Sequence, residues 1–130
     1  MTIQEMSTAV QYNLPIKIFI LNNQYMGMVR QWQELLHEKN YSESYTAALP
    51  DFVKLAEAYG CVGIQATKPD ELDEKINEMI NINEPVIFDC RVDPTENCFP
   101  MIPSGKPHNQ MLLGPEDEKE EVSDEGKTLV

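Results

Sequence analysis

The sequence predicts an α/β fold: a partial doubly wound, mostly parallel sheet with flanking helices. Three observations carry that prediction. The run Ile16-Lys17-Ile18-Phe19-Ile20-Leu21 is almost continuously apolar and of strand length, as in strands covered on both faces. Segments of helical and strand character alternate in the order helix, strand, helix, helix, strand, helix, strand. With 130 residues, 42% of them hydrophobic, the chain suffices for one domain with one core.

Each element has its own signal. Thr2 to Tyr12 carries Ile3, Met6 and Val10 at helical spacing, and Asn13-Leu14-Pro15 ends it. After the first strand, Gly27 to Glu38 repeats Met28 or Val29, Trp32, Leu35 and Leu36 on its expected inward face. Asn40 to Leu49 is polar and reads as loop. Pro50 opens a third helix with Phe52, Leu55, Ala56 and Tyr59 inward and Gly60 as its C-terminal cap. Cys61 to Ala66 is a second strand. Thr67 is expected to cap the next helix, with Asp70 three residues on, and Leu72, Ile76, Met79 and Ile80 line it. Pro85 leads into a third strand, Val86 to Val92, ended by Asp93-Pro94.

Beyond that strand, prolines at 94, 100, 103, 107 and 115 punctuate a stretch with little periodicity. Its Phe99, Met101, Ile102, Met111, Leu112 and Leu113 are apolar enough to pack against other surfaces. The chain thus divides into an α/β part over residues 1–93, an ordered arm over 94–114 and an acidic, solvated tail over 115–130. Met1 stands directly against the first helical pattern, and that helix has no strand before it. The chain is therefore expected to begin partway through a domain.

The formal net charge is −12, much of it between Glu116 and Glu125. Such a balance repels phosphates and argues against nucleic acid. No apolar run approaches the roughly 20 residues of a membrane span, and no secretory signal is visible, so a cytoplasmic location is expected. Cys61, Cys90 and Cys98 are odd in number and lack metal-type spacing. They read as buried free thiols in a reducing compartment. His37 and His108 sit among polar residues and are expected to be exposed. Asp89, Arg91 and Asp93 are expected to form surface ion pairs.

The segment with chemistry in it is the turn Asn22-Asn23-Gln24-Tyr25-Met26-Gly27. It follows the most buried-looking strand, and open α/β sheets bind ligands beyond the C-terminal ends of their strands. An asparagine side chain offers a neutral oxygen that suits a hard cation such as Mg²⁺. Gly27 permits close approach, and the helix N-terminus behind it favours negative charge. Asparagine pairs after strands are also ordinary turn residues, and methionines at helical spacing are ordinary core.

The longer string Asn22-Asn23-Gln24-Tyr25-Met26-Gly27-Met28-Val29-Arg30-Gln31-Trp32 resembles the second half of the thiamine diphosphate motif. In detail it is similar to the version found in the large, catalytic subunit of acetolactate synthase (acetohydroxyacid synthase). The resemblance continues through Val10-Gln11-Tyr12-Asn13-Leu14-Pro15, from Leu49 to Gly60, and through Pro100-Met101-Ile102-Pro103-Ser104-Gly105. It reaches about Gly114 and leaves out the acidic tail. The family motif opens with Gly-Asp-Gly, whose aspartate ligates Mg²⁺. That opening, and the strand before it, should stand just ahead of Met1.

By resemblance, the Asn23 side chain and the Tyr25 backbone carbonyl are metal ligands. Asn23, Gln24, Tyr25, Met26, Gly27 and Met28 line the cofactor. Met28 and Trp32 border the substrate channel, Trp32 matching a tryptophan that contacts herbicidal inhibitors. Residues 101–105 match a segment that closes over the active site. The family's catalytic glutamate belongs to another domain, so no catalytic residue is expected in this chain, and the chain alone is expected to be inactive.

The implied reaction is carboligation. Pyruvate loses carbon dioxide, and its two-carbon remainder joins a second 2-keto acid to give acetolactate or acetohydroxybutyrate, for branched-chain amino-acid synthesis. The resemblance implies thiamine diphosphate and Mg²⁺, with FAD in the full-length enzyme. It also implies a homodimer or homotetramer and a small regulatory subunit as partner. Two alternatives are another thiamine diphosphate enzyme, such as pyruvate oxidase or a keto-acid decarboxylase, and a non-enzymatic α/β binding module. Gln31-Trp32 and residues 100–105 favour the first reading.

Overall fold

The computed structural model describes residues 2–115. Met1 and the acidic tail from Glu116 lie outside the described residues. The elements run α1 (Glu5–Gln11), β1 (Lys17–Asn22), α2 (Gly27–Leu36), α3 (Phe52–Tyr59), β2 (Val62–Ala66), a 3-10 turn (Pro69–Glu71), α4 (Leu72–Asn81), β3 (Val86–Arg91) and a second 3-10 turn (His108–Gln110). The chain forms two compact units. One holds Met1–Gln24 and Ala47–Pro94; the other holds Tyr25–Thr46 and the chain from Thr95 on.

The first unit contains the sheet, ordered β1-β3-β2 with both pairings parallel. β3 is central, and every residue from Val86 to Cys90 is buried. Its alternation divides the core. Val86, Phe88 and Cys90 join Ile64, Ala66 and Met79, with Leu72 and Ile76 of α4 packed against them. Ile87 joins Met6 of α1, Ala56 of α3 and Cys61, with Ile18 and Ile20 of β1 alongside. Helices thus cover both faces of the sheet, as its continuous apolar central strand requires.

The helix α3 sits tightly on β2. A β-carbon added to Gly63 would lie 2.9 Å from Val53 Cα, Cγ1 and O, so glycine is what allows this approach. Asp51 caps α3, accepting N–H groups from Val53 and Lys54, and Gly60 ends it at φ 79°. Pro50 precedes this helix without entering it, because the Asp51 side chain supplies the start.

Two expectations fail in α4. Glu71, not Asp70, reaches back to accept from the backbone N–H groups of Thr67 and Lys68. Asp70 falls inside the short 3-10 turn, which moves the reach-back acid one residue on. Ile80 is 62% exposed, and Ile82 packs in its place because the chain leaves the helix there.

In the second unit, α2 departs in part from the expected pattern: Trp32, Leu35 and Leu36 are half-buried, as an inward face requires, but its first turn is not. Met28 and Val29 are exposed, and its buried residues are Arg30 and Gln31. The buried positions carry polar side chains because they hold the arm. Gln31 Nε2 donates to Cys98 O (3.0 Å), Gln31 Oε1 accepts from Cys98 N–H (2.7 Å), and Nε2 also meets Met101 Sδ at 2.9 Å. The arm has its own bridge, with Met101 and Leu112 exchanging N–H···O bonds of 2.9 and 2.7 Å, and both side chains are buried.

Candidate functional site

Parallel strands end together, and the ends of β1, β2 and β3 meet in a polar cluster. Strand alternation puts Ile18, Ile20 and Asn22 on the α3 face, together with Ile87 and Asp89 of β3 and Gly63 and Gln65 of β2. The apolar row therefore turns polar at its C-terminal end. Asp89 is 1% exposed. Its Oδ1 accepts from Asn22 Nδ2 at 2.7 Å, and its Oδ2 accepts from Gln65 Nε2 at 2.9 Å. Arg91 Nε lies 3.3 Å from the same Oδ2. Asp89 was expected in a surface ion pair; it is instead buried at the strand ends, because β3 is flanked on both sides. Its charge is matched by donors from all three strands, as burial demands.

Asn22 passes the order onward. Its Oδ1 accepts the Gln24 N–H at 3.1 Å, and Gln24 adopts φ 61°. This side chain-to-backbone closure two residues on is an Asx turn, which compensates a left-handed torsion that is uncommon outside glycine. Asn23, half-buried, lies between these two fixed residues.

The boundary between the units falls inside the turn, between Gln24 and Tyr25. On the far side, Tyr25 bridges Tyr45 and their rings lie 5.1 Å apart, while Met26 N–H donates to Ser44 O at 2.9 Å. The Arg30 guanidinium stands 5.6 Å from the Tyr25 ring and 5.2 Å from the Tyr41 ring. Arg30 also pairs with Glu34 at 2.7 Å and donates to Thr95 O at 3.3 Å. Met26, Gly27 and Met28 are exposed at the start of α2.

The same helix lines an open, mostly apolar groove of about 570 Å³ with Met28, Val29, Trp32, Gln33, His37 and Asn40. Trp32 is half-buried there, so it is a wall of the groove and not a core aromatic. His37, expected to be exposed, is half-buried in the same wall; His108 is exposed as expected. Met28 and Trp32 are thus brought together.

Cys61 and Cys90 are buried, and burial pushes both thiols up from the usual cysteine range, with the Asp89 charge adding to the effect on Cys90. Cys98, expected to be buried, is exposed, because Gln31 holds its backbone and not its side chain.

The chemistry of this set fits a hard cation with a phosphate-bearing cofactor. The oxygens the turn offers are a neutral amide and backbone carbonyls. Among the described residues no group of three or more His, Cys, Asp or Glu side chains converges as a metal cluster. Asp89, the one buried acid here, is occupied by its three donors.

Residues 1–90 match the family described as thiamine pyrophosphate enzyme, C-terminal TPP binding domain, and the chain belongs to that family. Within it, the chain is 46% identical over 120 residues to the acetolactate synthase large subunit of Haemophilus influenzae. It is 47% identical over 116 residues to the acetolactate synthase isozyme 3 large subunit of Escherichia coli. These matches cover 92% and 87% of this chain but 21% and 20% of those relatives, so the chain spans about a fifth of their length. A solved structure, the thiamine diphosphate-dependent 4-hydroxybenzoylformate decarboxylase of Rhodococcus jostii RHA1, superposes with a TM-score of 0.62 at 26% identity, over 70% of this chain and 17% of that one.

Proposed function

We propose that this chain is the cofactor-binding part of an acetolactate synthase large subunit. The observation that carries the reading is identity of 42 to 49% with acetolactate synthase large subunits over 86 to 92% of the chain. The decarboxylase likeness, at 26%, supports the fold and the cofactor class but not its reaction.

In this reading Asn23, through its side chain, and Tyr25, through its carbonyl, hold Mg²⁺, and Gln24, Met26, Gly27 and Met28 line thiamine diphosphate. When bound, the thiazolium supplies the electron sink for decarboxylation and carbon–carbon bond formation. The protein residues anchor and orient. Gly27 opens α2, whose N-terminus favours the diphosphate charge. Met28 and Trp32 give the groove an apolar wall, which disfavours water around the keto acids. The arm around residues 101–105 is tied to α2 through Gln31.

The whole enzyme condenses pyruvate with a second 2-keto acid in branched-chain amino-acid synthesis. It acts in the cytoplasm as a homodimer or homotetramer, with FAD and a small regulatory subunit. The residue bounds 1–93, 94–114 and 115–130 stand as its cofactor part, arm and tail. No helix among the described residues is long and apolar enough to cross a membrane.

The test is product analysis with the complete reading frame containing this sequence, supplied with pyruvate, Mg²⁺, thiamine diphosphate and FAD. Acetolactate is expected. Acetaldehyde would point to a decarboxylase, acetyl phosphate or acetate to an oxidase, and either would overturn the reading.

A further inference from the structure

We propose that Asp89 is a positioning residue for the turn that carries the cofactor ligands. Its buried carboxylate sets the orientation of the Asn22 amide, and that amide sets the backbone on either side of Asn23. The proposal rests on the cofactor reading above.

Asn22 has one donor and one acceptor end. With Nδ2 on Asp89 at 2.7 Å, Oδ1 is left pointing to the Gln24 N–H at 3.1 Å. A carboxylate accepts only, so Asp89 dictates which end of the amide faces it. Were the amide reversed, Oδ1 would meet the carboxylate and Nδ2 would meet an N–H, two repulsive contacts. The charge therefore selects one rotamer, and that rotamer supplies the bond that holds Gln24 at φ 61°. Gln65 and Arg91 hold the second carboxylate oxygen and keep Asp89 itself in place. Asn22 is 5% exposed and Asp89 1%, so water competes little for these bonds.

The same contacts define a rival role, which the test must separate. Asp89 joins groups from three strands and could serve the sheet alone. Polarity separates the two. Asn22→Asp keeps the shape and an acceptor for Gln24 but sets oxygen against oxygen at residue 89. Adding Asp89→Asn restores a donor between the two residues, now running from position 89 to position 22, and still leaves an acceptor for Gln24.

The experiment is residue-resolved amide hydrogen exchange by NMR on wild type, Asn22→Asp and the double variant under one set of conditions. Asn22→Asp should speed exchange at Gln24 by roughly five- to tenfold, the upper part of the range for losing a hydrogen bond between neutral groups. Phe88 and Ile64 should stay within about threefold. The double variant should return Gln24 to near its original rate. An unchanged Gln24 rate in Asn22→Asp overturns the proposal, as does a double variant that fails to restore it. If Asn22→Asp unfolds, the double variant still decides: a folded chain with a protected Gln24 supports the proposal, and anything else overturns it. Mg²⁺-dependent thiamine diphosphate binding by the complete wild-type reading frame is measured beside it. Failure there refutes the cofactor reading and leaves the exchange result at Gln24 to judge Asp89.

Discussion

Gly63→Ala should destabilise the first unit although it adds a single methyl group. The structure sets the size of the effect. The new Cβ would lie 2.9 Å from Val53 Cα, Cγ1 and O, against about 3.5–4.0 Å for comfortable carbon contacts. Two of those atoms are backbone, so no rotamer change relieves them, and α3 must back away from β2. Ala56, at 0% exposure, lies in the same helix and would lose its fit. Overpacking of this kind costs about 1–3 kcal/mol, and the restricted unfolded state of alanine offsets about 0.4–1 kcal/mol. A net loss of about 1–2 kcal/mol follows, which at a urea slope of roughly 1–3 kcal/mol/M lowers the unfolding midpoint by about 0.3–2 M. The assay is urea unfolding followed by circular dichroism. Gly114→Ala is the control, since nothing lies within 4 Å of its added Cβ, and it should leave the midpoint in place. Val53→Ala should not rescue Gly63→Ala, because the contacts with Val53 Cα and O persist. An unchanged or raised midpoint for Gly63→Ala, or full rescue by Val53→Ala, refutes the argument.

Other outcomes follow from the same contacts. Gln31→Met keeps the volume but removes both bonds to the Cys98 backbone; at about 0.5–1.5 kcal/mol each, exchange at the Cys98 amide should rise roughly five- to a hundredfold, read by NMR. Cys98 should react with a thiol reagent well before Cys61 and Cys90, which are buried and whose thiols burial holds protonated; equal rates by mass spectrometry would contradict this. Backbone N–H groups hold the carboxyls of Asp51 and Glu71 below the usual range. Since their folded values lie below their unfolded ones, their stabilisation is full above the ordinary carboxylate range and is lost as pH falls through the folded values. Melting temperature should drop more steeply with acid in wild type than in Asp51→Ala or Glu71→Ala.

The fold was legible because apolar periodicity reports burial. Ile18 and Ile20 in β1, Val86 to Phe88 in β3, and Leu72, Ile76 and Met79 in α4 announce themselves by identity and spacing. The turn was legible by its place after a strand and by its likeness to a family motif. What periodicity missed is polar burial. Arg30, Gln31 and Asp89 are side chains that spacing arguments assign to water, yet all three are buried. The expected inward face of α2 failed at Met28 and Val29 for that reason, though Trp32, Leu35 and Leu36 are half-buried: a helix that holds an irregular arm needs donors and acceptors for loop backbone, which Met28 and Val29 lack.

One signal for Asp89 did stand in the sequence. Val86-Ile87-Phe88-Asp89-Cys90 is a run covered on both faces, and a charge inside such a run must be matched, because leaving it unpaired costs more than a lost hydrogen bond. An acid two residues before the end of a central parallel strand lies where ligands bind. Its partner is then sought at the end of a neighbouring strand, and Asn22, just ahead of the candidate ligand Asn23, ends β1. The sheet thus supplies a charge where the turn needs orientation. The residues expected to touch cofactor are half-buried or exposed, while Asn22 and Asp89 in the first unit and Arg30 and Gln31 in the second are buried. Substitutions at Asn22 and Asp89 should disturb the turn from Asn22 to Gln24 before they disturb the fold, whereas substitutions at Phe88 or Val86 should do the reverse.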